Sequence, residues 1–159
     1  MDDRQFRQAM GKFATGVTVI TTELEGDIHG MTANAFMSVS LEPKLVVISI
    51  GEKAKILNKI KESKIFTINI LAADQQELSM IFAGQLKEHR EVVFERLDGK
   101  PVLPGSVVQV ACEVSAEHVE GDHILFIGKV TDIHLSDAEP LIFYSGKYRS
   151  LEKLETVTI

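Results

Sequence analysis

Apolar residues recur along the chain at two periods, and the switches between them mark its elements. In residues 3 to 13, Phe6, Ala9, Met10 and Phe13 stand three and four apart, which predicts an amphipathic helix that Gly16 stops. Val17-Thr18-Val19-Ile20-Thr21-Thr22 is dense in β-branched side chains, which suit a pleated surface. Glu25-Gly26-Asp27 supplies turn chemistry before a second extended stretch over residues 28 to 40. Leu45 to Ile50 is an almost continuous apolar run, as expected of a strand buried on both faces. Helical period returns between Lys55 and Lys64 through Ile56, Leu57 and Ile60. Phe66 to Leu71 reads as a short strand, and Asp74 to Phe82 as a helix with Asp74 at its N-cap and Glu77 three residues on.

The last third is β-rich. From 108 to 116 the even positions Val108, Val110, Cys112, Val114 and Ala116 alternate with mostly polar or small odd ones, the period of a half-buried antiparallel strand. After a turn at Gly121-Asp122, the strand from His123 to His134 is apolar on both faces, with Leu125, Ile127 and Ile133 on one and Ile124, Phe126 and Val130 on the other. One face can fill a barrel and the other needs a cover, for which a second copy of the chain is the commonest solution in a domain this small. Long strands interrupted by two or three short helices predict a small, closed antiparallel barrel with helical insertions. Strict alternation of strand and helix is absent, which argues against a doubly wound parallel sheet.

Composition sharpens this picture. At 159 residues, 45% apolar and 25% charged, the chain reads as one soluble globular domain, residues 1 to 159, able to remove roughly 70% of its unfolded surface from water. Seventeen Lys and Arg against 23 Asp and Glu leave a net charge of −6, which counts against nucleic-acid and anionic-membrane partners, because such binders concentrate cations. Cys112 stands alone, so neither an intrachain disulfide nor a Cys-based zinc site is expected. Met1-Asp2-Asp3-Arg4 lacks the basic and apolar regions of a secretory signal, and the apolar runs are shorter than a membrane span. Together these point to the cytoplasm.

Five segments could carry chemistry. In Gly30-Met31-Thr32-Ala33-Asn34-Ala35-Phe36-Met37-Ser38-Val39-Ser40, small and hydroxyl residues replace bulky strand formers, so a flat ligand could approach the backbone; the plain alternative is a strand with a polar solvent face. Ser49-Ile50-Gly51-Glu52-Lys53-Ala54-Lys55 empties a buried strand into a helix start, where free N–H groups and two lysines favour an anion, although a solvated lysine-rich helix explains it too. Phe82-Ala83-Gly84-Gln85 has the glycine expected at a helix C-terminus. His123, in Gly121-Asp122-His123, stands at a hairpin mouth beside a carboxylate. His29, His89, His118 and His134 show no metal-ligand spacing, so no metal is expected. Phe143-Tyr144-Ser145-Gly146-Lys147-Tyr148-Arg149 places two tyrosines and two lysine or arginine cations close together. No order of residues marks a nucleophile or a pair of acid–base carboxylates.

In this order, these segments resemble the short-chain flavin reductase family, and more closely the NADH-dependent reductase components of two-component hydroxylases acting on phenol or 4-hydroxyphenylacetate. The resemblance runs from Phe6-Arg7-Gln8-Ala9-Met10-Gly11-Lys12-Phe13-Ala14-Thr15-Gly16-Val17-Thr18-Val19 to Ser145-Gly146-Lys147-Tyr148. It implies a mainly β fold with helical insertions, a flavin-binding split β-barrel forming a homodimer. It further implies that Thr32, Ala33, Asn34, Ala35 and Phe36 line the isoalloxazine, with Ser38 and Ser40 near its ring or ribityl chain. Ser49, Lys53 and Lys55 match the flavin-phosphate region, although many relatives carry Ser or Thr at the two lysines, so the match there is to the segment. Ala83, Gly84 and Gln85 fall near the flavin's phosphate or adenine end, His123 beside the nicotinamide, and Tyr148 at the border of the same pocket.

The implied reaction is hydride transfer from NADH to FAD or FMN, with FAD favoured by the likeness to phenol-type reductases, and free reduced flavin diffusing to a separate oxygenase. Such chemistry needs stacked rings and excluded water rather than a strong acid or base. His123 then has a positioning and electrostatic role, bonding the nicotinamide amide or favouring the reduced flavin's charge. A non-enzymatic FMN-binding or electron-transfer split barrel is the alternative, and a haem- or pyridoxine-phosphate-related barrel a third. No dinucleotide fingerprint of the Rossmann type is present from which to read ribose recognition.

Overall fold

The structure is a computed structural model and describes residues 1–86 and 90–152. α1 (Asp3–Met10) begins with Asp2 as N-cap, whose carboxylate accepts the Gln5 N–H at 2.7 Å and so satisfies one of the free amides of the first turn. The helix does not continue to Phe13. Lys12 and Phe13 donate to the carbonyls three residues back, Ala9 and Met10, and the Gly11 carbonyl accepts from the Ser145 N–H at 2.9 Å, so its ladder partner is replaced by another element.

β1 (Thr15–Gly16), β2 (Thr18–Leu24), β3 (Asp27–Ala33), β4 (Phe36–Leu41) and β5 (Lys44–Gly51) follow. The turn between β2 and β3 places Glu25 and Gly26 at φ 54° and 87°, the paired positive angles that match the twist of a two-residue hairpin. The stretch expected to be continuous over 28 to 40 is two strands, broken at Asn34 and Ala35. α2 (Ile56–Ser63), β6 (Ile65–Ile70) and a 3-10 turn (Ala73–Gln75) lead into α3 (Gln76–Phe82). Asp74 is not the cap here: it is exposed, and the buried Gln75 side chain accepts the Ala72 N–H at 3.0 Å while donating to the Pro104 carbonyl at 2.8 Å. β7 (Glu95–Leu97), β8 (Lys100–Val102), β9 (Val108–Glu120), β10 (His123–Leu135), β11 (Ile142–Tyr144) and β12 (Lys147–Arg149) complete the chain.

Seven strands form one antiparallel sheet in the order β3-β2-β6-β9-β10-β5-β4. Laid flat, its edges would stand roughly 30 Å apart at the usual spacing of strands. Yet the edge strands β3 and β4 are joined by only Asn34 and Ala35, a link that reaches roughly 11 Å from Ala33 to Phe36. The sheet therefore rolls until its edges face each other. β3 and β4 do not pair, so the barrel is split along this seam rather than closed as the patterning predicts.

The interior holds Ile20, Ile48, Ile50, Phe66, Ile68, Val110, Cys112 and Phe126, joined by Ile56, Leu57 and Ile60 of α2. β10 turns Ile124 and Phe126 inward, and Gly128 is required there because a Cβ would lie 2.4 Å from the Phe66 ring. On β9, Val110 and Cys112 are buried while the other expected even positions, Val108, Val114 and Ala116, are half-buried; Gln109 and Ala111 are buried as well, Gln109 donating to the Leu103 carbonyl at 2.6 Å under the 103–106 segment. The run from Leu45 to Ile50 is not buried on both faces. Val46, Ile48 and Ile50 are buried, but Leu45, Val47 and Ser49 are half-buried, because the outer face of β5 is incompletely covered. In register across that face, Met37, Val47 and Ile127 form an apolar row over β4, β5 and β10. A second cluster, Val17, Val19, Leu71, Leu103 and Leu141, packs with Leu78, Phe82, Phe143 and Tyr148, bringing α3 together with the small sheet β1-β11-β12. Among the described residues, no helix is long and apolar enough to cross a membrane.

Candidate functional site

Some of the predicted site residues meet at the seam. Thr32 and Ala33 end β3, Asn34 and Ala35 cross between the edges with both residues exposed, and Phe36 starts β4. Across the link, the Ala35 carbonyl accepts the Ser49 N–H at 3.1 Å, so Ser49 of β5 stands beside the crossing. Asn34 borders cavities on two sides. One, of about 190 Å³, is lined by Val17, Thr32, Ala33, Asn34, Ser79, Ala83, Gln85, Phe143 and Tyr148. The other, of about 710 Å³, is lined by Ala9, Met10, Phe13, Thr15, Gly16, Thr18, Asn34, Phe36 and Ile70.

The smaller cavity thus unites three separate predicted segments: Thr32 to Asn34, Ala83 with Gln85, and Tyr148. Its polar groups are largely committed to one another. The Thr32 hydroxyl donates to the Ser79 carbonyl at 2.7 Å, and the Ser79 and Tyr148 hydroxyls share a 2.9 Å hydrogen bond. The Tyr148 ring meets Phe143 edge-on, with centroids 5.3 Å apart and planes at 66°, a favoured aromatic arrangement. Both rings are carried by the hairpin whose turn, Ser145-Gly146, takes φ values of 49° and 77°. Gly84 is the left-handed residue after α3, at φ 69°, and does not line the cavity; its role is to turn the chain so that Ala83 and Gln85 can. Phe143 opens the segment 143–149 marked in the sequence, whereas Ser79 and Val17 carry no such mark. Their signal was only apolar or small residues at ordinary strand and helix spacings.

The flat body expected against Gly30 is part of the chain itself. A Cβ on Gly30 would lie 2.4 Å from the Phe82 ring, so glycine here admits the aromatic that closes α3. Ser38 and Ser40 lie on β4. Ser38 is exposed, and the Ser40 hydroxyl donates to the Pro43 carbonyl.

A second group assembles at the hairpin between β9 and β10. His123 pairs with Gly51 of β5, its Nδ1 stands 2.8 Å from an Asp122 carboxylate oxygen, and its Nε2 faces the bare Cα of Gly51. The Asp122 carbonyl accepts the Glu52 N–H at 2.9 Å, binding the hairpin to the turn that carries Lys53. The hydrogen bond from His123, followed by its charge and a smaller pull from Lys53, holds the Asp122 carboxyl below the usual carboxylate range. Lys53 and Lys55 are exposed, and Lys55 directly precedes α2, whose first amides have no side-chain cap. The structure therefore gathers Ser49, Gly51, Lys53, Asp122 and His123, while the cavity lined by Tyr148 does not include His123. His89 lies outside the described residues.

One polar atom stands out. The Thr15 hydroxyl, bordering the larger cavity, is buried and has no hydrogen-bond partner. Buried hydroxyls are nearly always bonded, so this one is available to a ligand in that cavity.

Comparison with known proteins gives these groups a context. Residues 10–152 match the family described as flavin reductase like domain. An NADH-dependent flavin reductase of a Rhodococcus species is 49% identical over 151 residues, covering 93% of this chain and 86% of that one. The reductase component of 4-hydroxyphenylacetate 3-monooxygenase from Thermus thermophilus is 36% identical over 147 residues, covering 92% and 95%. Among solved structures, the flavin reductase PheA2 in its native state superposes with a TM-score of 0.95 at 62% identity, covering 96% of this chain and all of that one.

Proposed function

The chain belongs to the flavin reductase like domain family, and from that membership we propose that it is an NADH-dependent flavin reductase, supplying reduced flavin to a separate aromatic-hydroxylating oxygenase. The observation that carries the reading is the seam: an exposed backbone crossing between two cavities, where the edge strands β3 and β4 do not pair. The relatives compared above are all reductases, which disfavours the alternative of a non-enzymatic flavin carrier.

The residues present suit a flavin. An isoalloxazine is a flat, largely apolar ring system with a polar edge, and it calls for small side chains beside free backbone groups. Asn34 and Ala35 offer that, the larger cavity adds Met10, Phe13, Phe36 and Ile70, and the unpartnered Thr15 hydroxyl is free to bond the ring's edge. Ser49, Lys53, Lys55 and the start of α2, which no side chain caps, suit an anionic tail. When bound, the flavin supplies the hydride acceptor and NADH the donor, with FAD the preferred acceptor in this reading and FMN the second.

The chain's own contribution is placement. The Asp122 carboxylate fixes the His123 ring through Nδ1, and the bare Cα of Gly51 leaves room in front of Nε2. From there Nε2 can bond a carboxamide or face developing negative charge, and neither task needs a strong acid or base. Thr32, Ser79 and Tyr148 already satisfy one another, so the smaller cavity keeps its shape when a ring enters and excludes water. We further propose a single domain in the cytoplasm, working as a homodimer. α1 has no buried residue, with Phe6 51% and Met10 57% exposed, and the row Met37, Val47 and Ile127 is likewise left partly open. A second copy covers both.

Steady-state oxidation of NADH and NADPH with FAD, FMN and riboflavin tests the reading. Flavin-dependent loss of NADH is expected; flavin binding without any NADH loss would return the carrier.

A further inference from the structure

Three walls of the smaller cavity meet on one residue of α3. Ser79 lies in α3 with 1% of its surface exposed. Its hydroxyl holds that of Tyr148 on β12 at 2.9 Å. Its carbonyl accepts both the Thr32 hydroxyl of β3, at 2.7 Å, and the Ala83 N–H after the helix, at 3.0 Å. Serine is a poorer helix former than alanine, and a buried hydroxyl is costly unless bonded. Serines within helices ordinarily bond a carbonyl one turn back; this one reaches a different element. The reach matters because β12 has few other restraints. The β11–β12 hairpin has three residues per strand, its sheet is completed by the two-residue β1, and so small a sheet is marginal alone. Phe143 fixes the plane of the Tyr148 ring, and Ser79 fixes its hydroxyl end.

We propose that Ser79 is a positioning residue, which through Tyr148 and Thr32 sets the width of the smaller cavity and thereby its fit to the heterocyclic ring that enters. This rests on the flavin reductase reading.

The chain has two tyrosines and no tryptophan, which gives a direct readout. In a Tyr144→Phe background the near-ultraviolet circular dichroism of tyrosine reports Tyr148 alone. Ser79→Ala in that background is expected to abolish the Tyr148 band. It should also raise KM for NADH about three- to tenfold, the usual weight of one hydrogen bond, while kcat changes less. Tyr148→Phe should reproduce the KM rise, and adding Ser79→Ala to it should change nothing more. An unchanged band in Ser79→Ala, a lost band with KM and flavin affinity unaltered, or effects of the two substitutions that multiply would each overturn the proposal. If the unmodified chain consumes no NADH with any flavin, the reductase reading fails. The tyrosine band and a flavin-quenching titration then still decide the role of Ser79.

Discussion

His123 shows how much a single neighbour can define. A lone histidine in a surface turn usually has no duty, but this one has Nδ1 engaged by Asp122 and Nε2 directed at a glycine, so one nitrogen is left for a ligand. His123→Ala should lower kcat with NADH about 10- to 100-fold while flavin affinity, read by fluorescence quenching, stays within a few-fold; unchanged turnover would remove His123 from the site. Asp122→Asn should act in the same direction but less. Because the Asp122 carboxyl is held below its ordinary range, its hold on His123 is complete at neutral pH and is lost only as pH falls through that lowered value. Cys112 illustrates the opposite case, a titratable group with no part in the chemistry. Burial pushes its thiol from 9.0 up to about 12. A raised thiol pKa means that the folded state keeps its proton while the unfolded chain loses it, so stability should fall by about 1.4 kcal/mol per pH unit between pH 9 and about 12. Denaturant titrations of the wild type and Cys112→Ala across that range should diverge accordingly, and thiol labelling should require unfolding.

At the scale of elements, α2 and the turn before it carry a test of the tail-binding assignment. Lys53→Ala and Lys55→Ala should each weaken FAD and FMN binding about two- to fivefold, with riboflavin, which lacks phosphate, unaffected; added salt should shrink the difference. Equal losses for all three flavins would mean that the lysines act on the fold. Elements were the scale at which the sequence was most readable. The hairpin turn at Glu25-Gly26, the period of α2, and the β9 and β10 strands follow from local chemistry alone, whereas the short β11–β12 hairpin carries no comparable signal. What was misread depended on distant partners. α1 stops at Met10 because Ser145 takes the Gly11 carbonyl, and Asp74 is displaced as cap by a glutamine side chain anchored to Pro104. Small residues around Gly30 carry a similar lesson: part of the space they provide is occupied by Phe82, and only the crossing beyond it is open.

For the whole molecule, strand patterns predict a closed barrel and miss the split, since alternation is the same in a closed, a split and an open sheet. The two-residue link between opposite edges decides it. The outer face is the feature most open to experiment at this scale. Placing charge in the apolar row, as in Met37→Glu with Ile127→Glu, should convert the proposed dimer to a monomer in sedimentation velocity and leave the monomer folded, because neither side chain belongs to the interior cluster. A monomeric wild type would overturn the assignment.

The seam has a consequence for heat resistance. β3 and β4 do not pair with each other, and the direct link between them is two residues long. A flavin lying across the gap would act as a removable stitch, so the melting temperature should climb with the logarithm of flavin concentration, by about 2.7 kcal/mol of added stability at one hundred times Kd. The protein's lifetime at elevated temperature would then be governed by how much flavin surrounds it.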